Sequence, residues 1–349
     1  MEVQDPEPDG RVAVAVIGVG EHGRHHARAL SGIPGARLAG VYDLSAERTK
    51  EAAAELGVRA FGSLEEALDG VQAASIVIPT SEHAAAAREA LDAGVDVLLE
   101  KPITRTVEEA DELVERAVAG RRILQVGHLE RFNPGVVAAR AITRQPLFFE
   151  IHRLGVFSAR SLDVDVVFDL MIHDLDLVLW MVDSPVSDVR AVGLPVLSNK
   201  VDIANARVEF KNGAVANLTA SRASTERVRK FRYFQPNEYI SIDFARRDAI
   251  ALSVDRDGPT PHIAFRKLET PDDSKDSSLA ESAKAAADPL RAELEAFVSS
   301  VRTRRPPLVG GAEGRAALAL AERVMNCIEE HAAQLNIPLG RSIGVAGEL

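Results

Sequence analysis

The sequence predicts an α/β protein of two domains: a doubly wound parallel sheet at the N-terminus, then an α+β domain with an open, mainly antiparallel sheet. Three observations carry this. Continuous apolar runs recur between residues 12 and 128, separated by helix-like stretches, as in strands buried on both faces. From about residue 187 the runs alternate apolar and polar residues and meet at short turns, as antiparallel strands do. A length of 349 residues fits two domains at roughly 150 residues each.

Taken in order, MEVQDPEPDGR (1–11) is acidic and proline-rich, without the apolar core of a signal peptide, and reads as a disordered lead. VAVAVI (12–17) is a buried strand, and a helix follows to Leu30. RLAGVYD (37–43) is the second strand, and SAERTKEAAAELG a helix closed by Gly57. VRAFG, a helix at SLEEALDG, ASIVIPT (74–80) and the helix EHAAAAREALDAG continue the alternation. DVLLEKP (96–102) is a strand halted by proline, Thr106 caps a helix through TVEEADELVERAVAG, and RILQVGH (122–128) is a further strand. Short links between alternating strands and helices predict a parallel sheet, so residues 12–127 form the first domain. Residues 128–349 form the second. It has helices over 134–144 and 165–182, and a hairpin turning at Asn212-Gly213 between IANARVEF and AVANLTASR. RKFRYFQ, YISIDFA, AIALSV and HIAFRKL add strands. Residues 271–288 read as a mobile polar loop, and helices over 289–302 and 311–334 complete this domain.

Acidic residues outnumber basic ones, 52 to 41, for a net charge of −11. That disfavours nucleic acid and anionic membrane as partners. Cys327 is the only cysteine, so no internal disulfide forms, and a reducing, cytoplasmic setting fits. No apolar run reaches the ~18 residues a spanning helix needs.

Gly18-Val19-Gly20-Glu21-His22-Gly23 is a G-x-G-x-x-G turn between a buried strand and a helix. Gly18 suits a tight turn, Gly20 a close backbone approach to a pyrophosphate, and Gly23 close packing of helix on strand; the helix N-terminus offers free N–H groups to the anion. Asp43 ends the next strand, where an acid hydrogen-bonds the ribose hydroxyls and repels a 2′-phosphate. This predicts a Rossmann domain that takes NAD in preference to NADP, with Arg48 close enough to soften the preference. His22, His25 and His26 cluster at the helix start, but adjacent His25 and His26 point about 100° apart. Packing or pyrophosphate contact is preferred to a metal, and no metal is predicted.

FDLMIHDLDLVLWMV (168–182) is apolar except for Asp169, His173, Asp174 and Asp176. On a helix, Asp169, His173 and Asp176 fall within about 60° of arc and Asp174 lies off the stripe. A histidine oriented by carboxylates suits a general base that takes a hydroxyl proton while hydride leaves the same carbon. The competing reading is that these charges staple neighbouring elements. Lys101 follows a buried strand at the ligand-binding end of the sheet, before a proline whose bond is a candidate for cis.

On GVGEHG (18–23), Asp43, IVIPTSEH (76–83), EKP (100–102), GHLERFNP (127–134), D-x-x-x-H (169–173) and PLRAELEAFVSSVRTRRPP (289–307), the chain resembles the Gfo/Idh/MocA oxidoreductases from about residue 12 to 335. The resemblance implies a dehydrogenase in which His173 is the acid/base, Lys101 polarises the substrate hydroxyl and Asp169 positions them. It implies that Pro79, Thr80, His83, Glu100 and Lys101 line the cofactor, and that the open sheet makes a homodimer or homotetramer. GHLERFNP puts Arg131 and Asn133 at the substrate, and Arg153, Arg160 and Arg222 are candidates for an anionic group. GHLERFNP, DLMIHDLDL and RKFRYFQPNEYISIDF together resemble the branch of UDP-sugar 3-dehydrogenases, which implies oxidation of the 3-hydroxyl of UDP-N-acetylglucosamine or its uronate. An inositol, free-sugar or dihydrodiol dehydrogenase is the nearest alternative. A dinucleotide-binding sensor without chemistry would have no need of Lys101, Asp169 and His173 together.

Overall fold

The computed structural model describes residues 10–156, 164–255, 262–270 and 288–340. Most of the predicted lead, Arg160 and the predicted loop up to residue 287 lie outside the described residues. The chain divides into two compact units, residues 1–129 with 288–315, and residues 130–287 with 316–349.

The first unit is built on β1 (Val12–Ile17), α1 (Glu21–Ser31), β2 (Ala36–Tyr42), α2 (Ala46–Leu56), β3 (Arg59–Ala60), α3 (Leu64–Leu68), β4 (Ala73–Ile76), α4 (Thr80–Asp92), β5 (Asp96–Glu100), α5 (Val107–Gly120) and β6 (Leu124–Gly127). All six strands are parallel, in the order β3-β2-β1-β4-β5-β6. The uninterrupted apolar character of β1 follows from its central place: every residue of it is buried. Caps set the helix ends. Ser45 Oγ accepts from Arg48 N, Thr106 Oγ1 accepts from Glu109 N, and Gly57 ends α2 in the left-handed region. The strand order reverses between β1 and β4, which opens a crevice at their carboxyl ends.

The second unit holds α6 (Pro134–Ile142), β7 (Phe148–Val156), a π-helical turn (Val167–Met171), α7 (Ile172–Val182), and strands β8 (Val186–Leu194), β9 (Ile203–Phe210), β10 (Val215–Ser224), β11 (Val228–Gln235), β12 (Glu238–Asp243), β13 (Asp248–Asp255) and β14 (His262–Lys267). They form one sheet in the order β14-β13-β12-β11-β7-β10-β9-β8. All pairs are antiparallel except β7 with β10. The predicted hairpin is β9–β10, with Gly213 at φ +88. Strand β7, in the middle of the sheet, was not among the predicted elements. Its inward positions are Phe149, Ile151 and Arg153, and the buried arginine breaks the apolar alternation.

Two helices follow: α8 (Pro289–Thr303) and α9 (Gly311–Gln334). The sequence reading put both in the second domain. Helix α8 belongs instead to the first unit, where Leu294, Phe297 and Val298 share a core with Val12, Val14, Leu30 and Ile33. Its apolar face matches the outer side of α1, so burial decides its place over chain order.

Candidate functional site

The G-x-G-x-x-G turn shows three different reasons for its glycines. Gly18 has φ +89, and a Cβ there would come 2.2 Å from the carbonyl oxygen of Val77. A Cβ on Gly23 would come 1.8 Å from the oxygen of Gly18, so α1 crosses β1 at backbone contact. Gly20 is different: a Cβ there meets nothing within 4 Å. The protein itself has no use for the missing side chain at Gly20; a ligand backed against the turn does. Gly20 also begins α1 with no side-chain cap, which leaves the first N–H groups directed at the crevice. These residues line a cleft of 680 Å³ with Glu21, His22, Asp43, Arg48, Ile78, Pro79 and Ser81.

Asp43 closes the far side of the turn. Its Oδ2 accepts from Val19 N at 2.9 Å, and its Oδ1 accepts from Ser45 N at 2.9 Å and Arg48 Nη2 at 2.8 Å. The acid is therefore held in place by the backbone, while the exposed Arg48 covers part of its charge. The residues fit a dinucleotide: an open glycine, an uncapped helix start and a carboxylate at the end of β2.

At the end of β5, Glu100 Oε1 lies 3.2 Å from His22 Nε2 and 3.1 Å from His26 Nε2, and Oε2 accepts from Lys101 N at 3.1 Å. Gly127 on β6 makes room, since a Cβ there would come 2.9 Å from the carboxyl group. Burial pushes the Glu100 carboxyl up, and the imidazoles of His22 and His26 outweigh it and hold it well below the usual range. The hydrogen bond to Glu100 raises His22. Glu293 of α8, fully buried, is pushed well above its ordinary value by burial and then by the charge of Glu100. His22, His26 and Glu100 are at ligand spacing for a divalent ion. Two ring nitrogens sharing one carboxylate account for that spacing without one. The reading from sequence considered the histidines alone and missed Glu100 as their common acceptor; the i, i+4 spacing of His22 and His26 was the available signal.

The other expected cofactor residues divide. Pro79 lines the cleft, and Thr80, which opens α4, is half-buried. His83 is 1% exposed, with Nε2 at 2.9 Å from Ile78 O and Nδ1 at 2.8 Å from Pro102 O. Burial lowers its pKa and the two carbonyl contacts oppose that, and the ring is wedged between two loop ends of this unit rather than presenting a donor to the cleft. Lys101 follows β5, half-buried, before the cis bond to Pro102.

In the second unit, Asp169 lies in the π-helical turn and His173 in the first turn of α7, both half-buried. The polar stripe predicted for a regular helix is divided. Asp176, expected on it, is buried and accepts from Arg131 Nη2 at 2.6 Å and Nε at 2.8 Å. Asp174 is also buried, with Arg153 Nη2 at 2.8 Å and Nε at 2.9 Å. Thus the stapling alternative holds for Asp174 and Asp176. Burial raises the Asp174 pKa and Arg153 opposes it, so the pair depends on close contact to stay ionised.

Arg131 and Asn133, expected at the substrate, are each 3% exposed. Besides Asp176, Arg131 stacks 5.1 Å over Trp180. Asn133 Oδ1 caps α6 through Gly135 N, and its Nδ2 donates to Glu130 Oε2 at 3.2 Å. These groups brace α7 from beneath. The arginines proposed for an anion are likewise engaged: Arg153 also reaches Glu130 at 3.0 Å, and Arg222 lies 3.0 Å from Asp202.

Residues 12–128 match the family described as "Oxidoreductase family, NAD-binding Rossmann fold", and residues 136–234 match the GFO/IDH/MocA C-terminal domain. The UDP-N-acetylglucosamine 3-dehydrogenase of Acidithiobacillus ferrooxidans is 42% identical over 315 residues, spanning 90% of this chain and 96% of that one. A solved structure of that enzyme superposes with a TM-score of 0.82 at 40% identity, over 92% of this chain and 98% of the other. The scyllo-inositol 2-dehydrogenase (NAD(+)) of Bacillus subtilis is 30% identical over 246 residues, 61% of this chain and 68% of that one.

Proposed function

Starting from the fact that this chain belongs to the Gfo/Idh/MocA oxidoreductase family and is an NAD-binding dehydrogenase, we propose that it oxidises the 3-hydroxyl of UDP-N-acetylglucosamine. One observation supports this substrate over its rivals. Identity to the UDP-N-acetylglucosamine 3-dehydrogenase is 42% across 90% of the chain, whereas the inositol enzyme reaches 30% across 61%.

When bound, NAD supplies the hydride acceptor. The chain's own residues do the rest. The turn at Gly18, Gly20 and Gly23 with the α1 N-terminus holds the pyrophosphate, and Asp43 takes the ribose hydroxyls and repels a 2′-phosphate. In the second unit His173 is the group suited to accept the hydroxyl proton, with Asp169 one turn before it to orient the ring; in the first unit Lys101, after β5, is the cation suited to polarise a hydroxyl. Glu100, kept charged by His22 and His26, fixes the backbone of Lys101 through its hydrogen bond to Lys101 N. The reaction is a two-electron oxidation that yields the 3-keto sugar, reduced cofactor and one proton.

The purified protein should reduce NAD, read by absorbance, with UDP-N-acetylglucosamine and not with inositols or free sugars. A transaminase and its amino donor, added in excess, draw off the ketone. Turnover with a free polyol alone would replace the substrate and leave the family; tight NAD binding with no turnover on any of them would leave a sensor.

The second unit offers a surface for a second copy of the chain. Register aligns Val215, Phe148, Phe234, Tyr239, Leu252 and Phe265 in one row across six strands. The row lies on the face opposite buried Phe149, Phe231 and Tyr233, and Phe265 is 66% exposed. Polar neighbours Glu150 and Arg232 border it. An apolar stripe of this length with a polar border matches the anatomy of a homodimer interface.

A further inference from the structure

Arg229 is the first inward-facing residue of β11, followed on the same face by buried Phe231 and Tyr233. It stands directly opposite Arg153 on β7. Its buried or half-buried neighbours have acids: Arg153 has Asp174 and Glu130, Arg131 has Asp176, Arg222 has Asp202, Lys230 has Asp243 and Arg232 has Glu150, while Arg227 is exposed to solvent. Among the described residues, no carboxylate pairs with Arg229, although the side chain is half-buried. Glu130 and Asp174, the acids whose charges act on Arg229, are both already hydrogen-bonded by Arg153. Burial, and then Arg153 beside it, push the Arg229 guanidinium below its usual value. A partly desolvated cation without a counter-charge costs stability, and such a group persists where a ligand completes it.

The location is informative. Asp174, the acid held by Arg153, is the residue after His173. Arg229 therefore flanks the ion pair that sets the first turn of α7, on the same sheet face. A planar guanidinium offers two parallel donors and matches a phosphate oxygen pair better than an ammonium does.

We propose that Arg229 is the substrate-anion residue of this enzyme and binds the diphosphate of the nucleotide-sugar. The assignment rests on the UDP-sugar reading above. It replaces Arg153 and Arg222, whose charges are already matched within the fold.

The test is Arg229→Gln with Arg229→Lys beside it, assayed in the full-length enzyme with NAD. Arg229→Gln should raise KM for UDP-N-acetylglucosamine about 10- to 100-fold, the range of a lost charge-assisted hydrogen bond. Its kcat should stay within about threefold, and KM for NAD should not move. Competitive inhibition by UDP should weaken by the same factor, whereas inhibition by uridine, which lacks the phosphates, should not change. Arg229→Lys should fall between. Melting temperature supplies the independent readout. Removing an unmatched cation leaves it unchanged or raises it, whereas removing a structural ion-pair partner lowers it. Unchanged KM and UDP inhibition, equal loss of UDP and uridine binding, or a clear drop in melting temperature in both variants each overturns the assignment. Failure of the wild-type enzyme to use UDP-N-acetylglucosamine is a separate result and removes the substrate reading first.

Discussion

Replacing His173 by alanine removes the proposed proton acceptor and leaves the glycine turn untouched. His173→Ala and Lys101→Ala should each lower kcat by about 10²–10⁴-fold while NAD binding, measured by fluorescence titration, persists. Wild-type turnover in either variant would withdraw its role. A second residue-scale test is the charge on His22. Its folded pKa is raised above the ordinary 6.5 by the hydrogen bond to Glu100. A raised histidine contributes its full stability below pH 6.5 and loses it as pH rises through the folded value. An NMR titration should place His22 above 6.5, and Glu100→Gln should bring it back down; a wild-type value at or below 6.5 would dissolve the pair. The residue types at this scale were legible, but their partners were not. Asp176 was read as part of a reactive stripe, and Arg131 as a substrate contact, because nothing in either local sequence shows that the two meet at 2.6 Å across 45 residues.

Elements explain why some of those readings succeeded. The β1–turn–α1 unit is local, so its chemistry is written in one short stretch, and each glycine has its own reason. Gly20→Ala should fold with stability within about 0.5 kcal/mol of wild type, since its Cβ meets no protein atom, yet raise KM for NAD at least about tenfold. Gly18→Ala should instead destabilise by more than about 1 kcal/mol, because the residue sits at φ +89 against Val77 O. Thermal melts and NAD kinetics on both variants separate the two effects. Normal NAD kinetics in Gly20→Ala would remove the pyrophosphate cradle. The segment 167–182 was less legible. A π-helical turn interrupts the regular period, so the angular argument that grouped Asp169, His173 and Asp176 assumed a geometry that the first turn does not have. Strand β7 was missed for a related reason: buried Arg153 occupies a position where the alternating pattern calls for an apolar side chain.

At the scale of the whole molecule, the aromatic row on the second sheet makes the prediction. Phe234→Asp, in the centre of the row, should convert the assembly to monomers in sedimentation velocity while the first unit keeps its NAD affinity. A wild-type monomer at micromolar concentration would show that the row serves another purpose. The net charge of −11 and the absence, among the described residues, of a helix long and apolar enough to cross a membrane add no partner to this picture. By itself the sequence determined the parallel sheet, the dinucleotide turn with Asp43, the hairpin at Asn212-Gly213 and the family. These depend on backbone conformation and apolar periodicity, which act over a few neighbouring residues. Tertiary structure alone decided that α8 returns to the first unit, that Glu100 gathers two imidazoles, and which acids Arg131, Arg153 and Arg222 meet. Arg304 finds Asp96 across 208 residues, and Arg153 finds Asp174 across 21. The energy of a buried charge depends on what lies within a few ångströms of it in space, and only the folded chain brings those groups together.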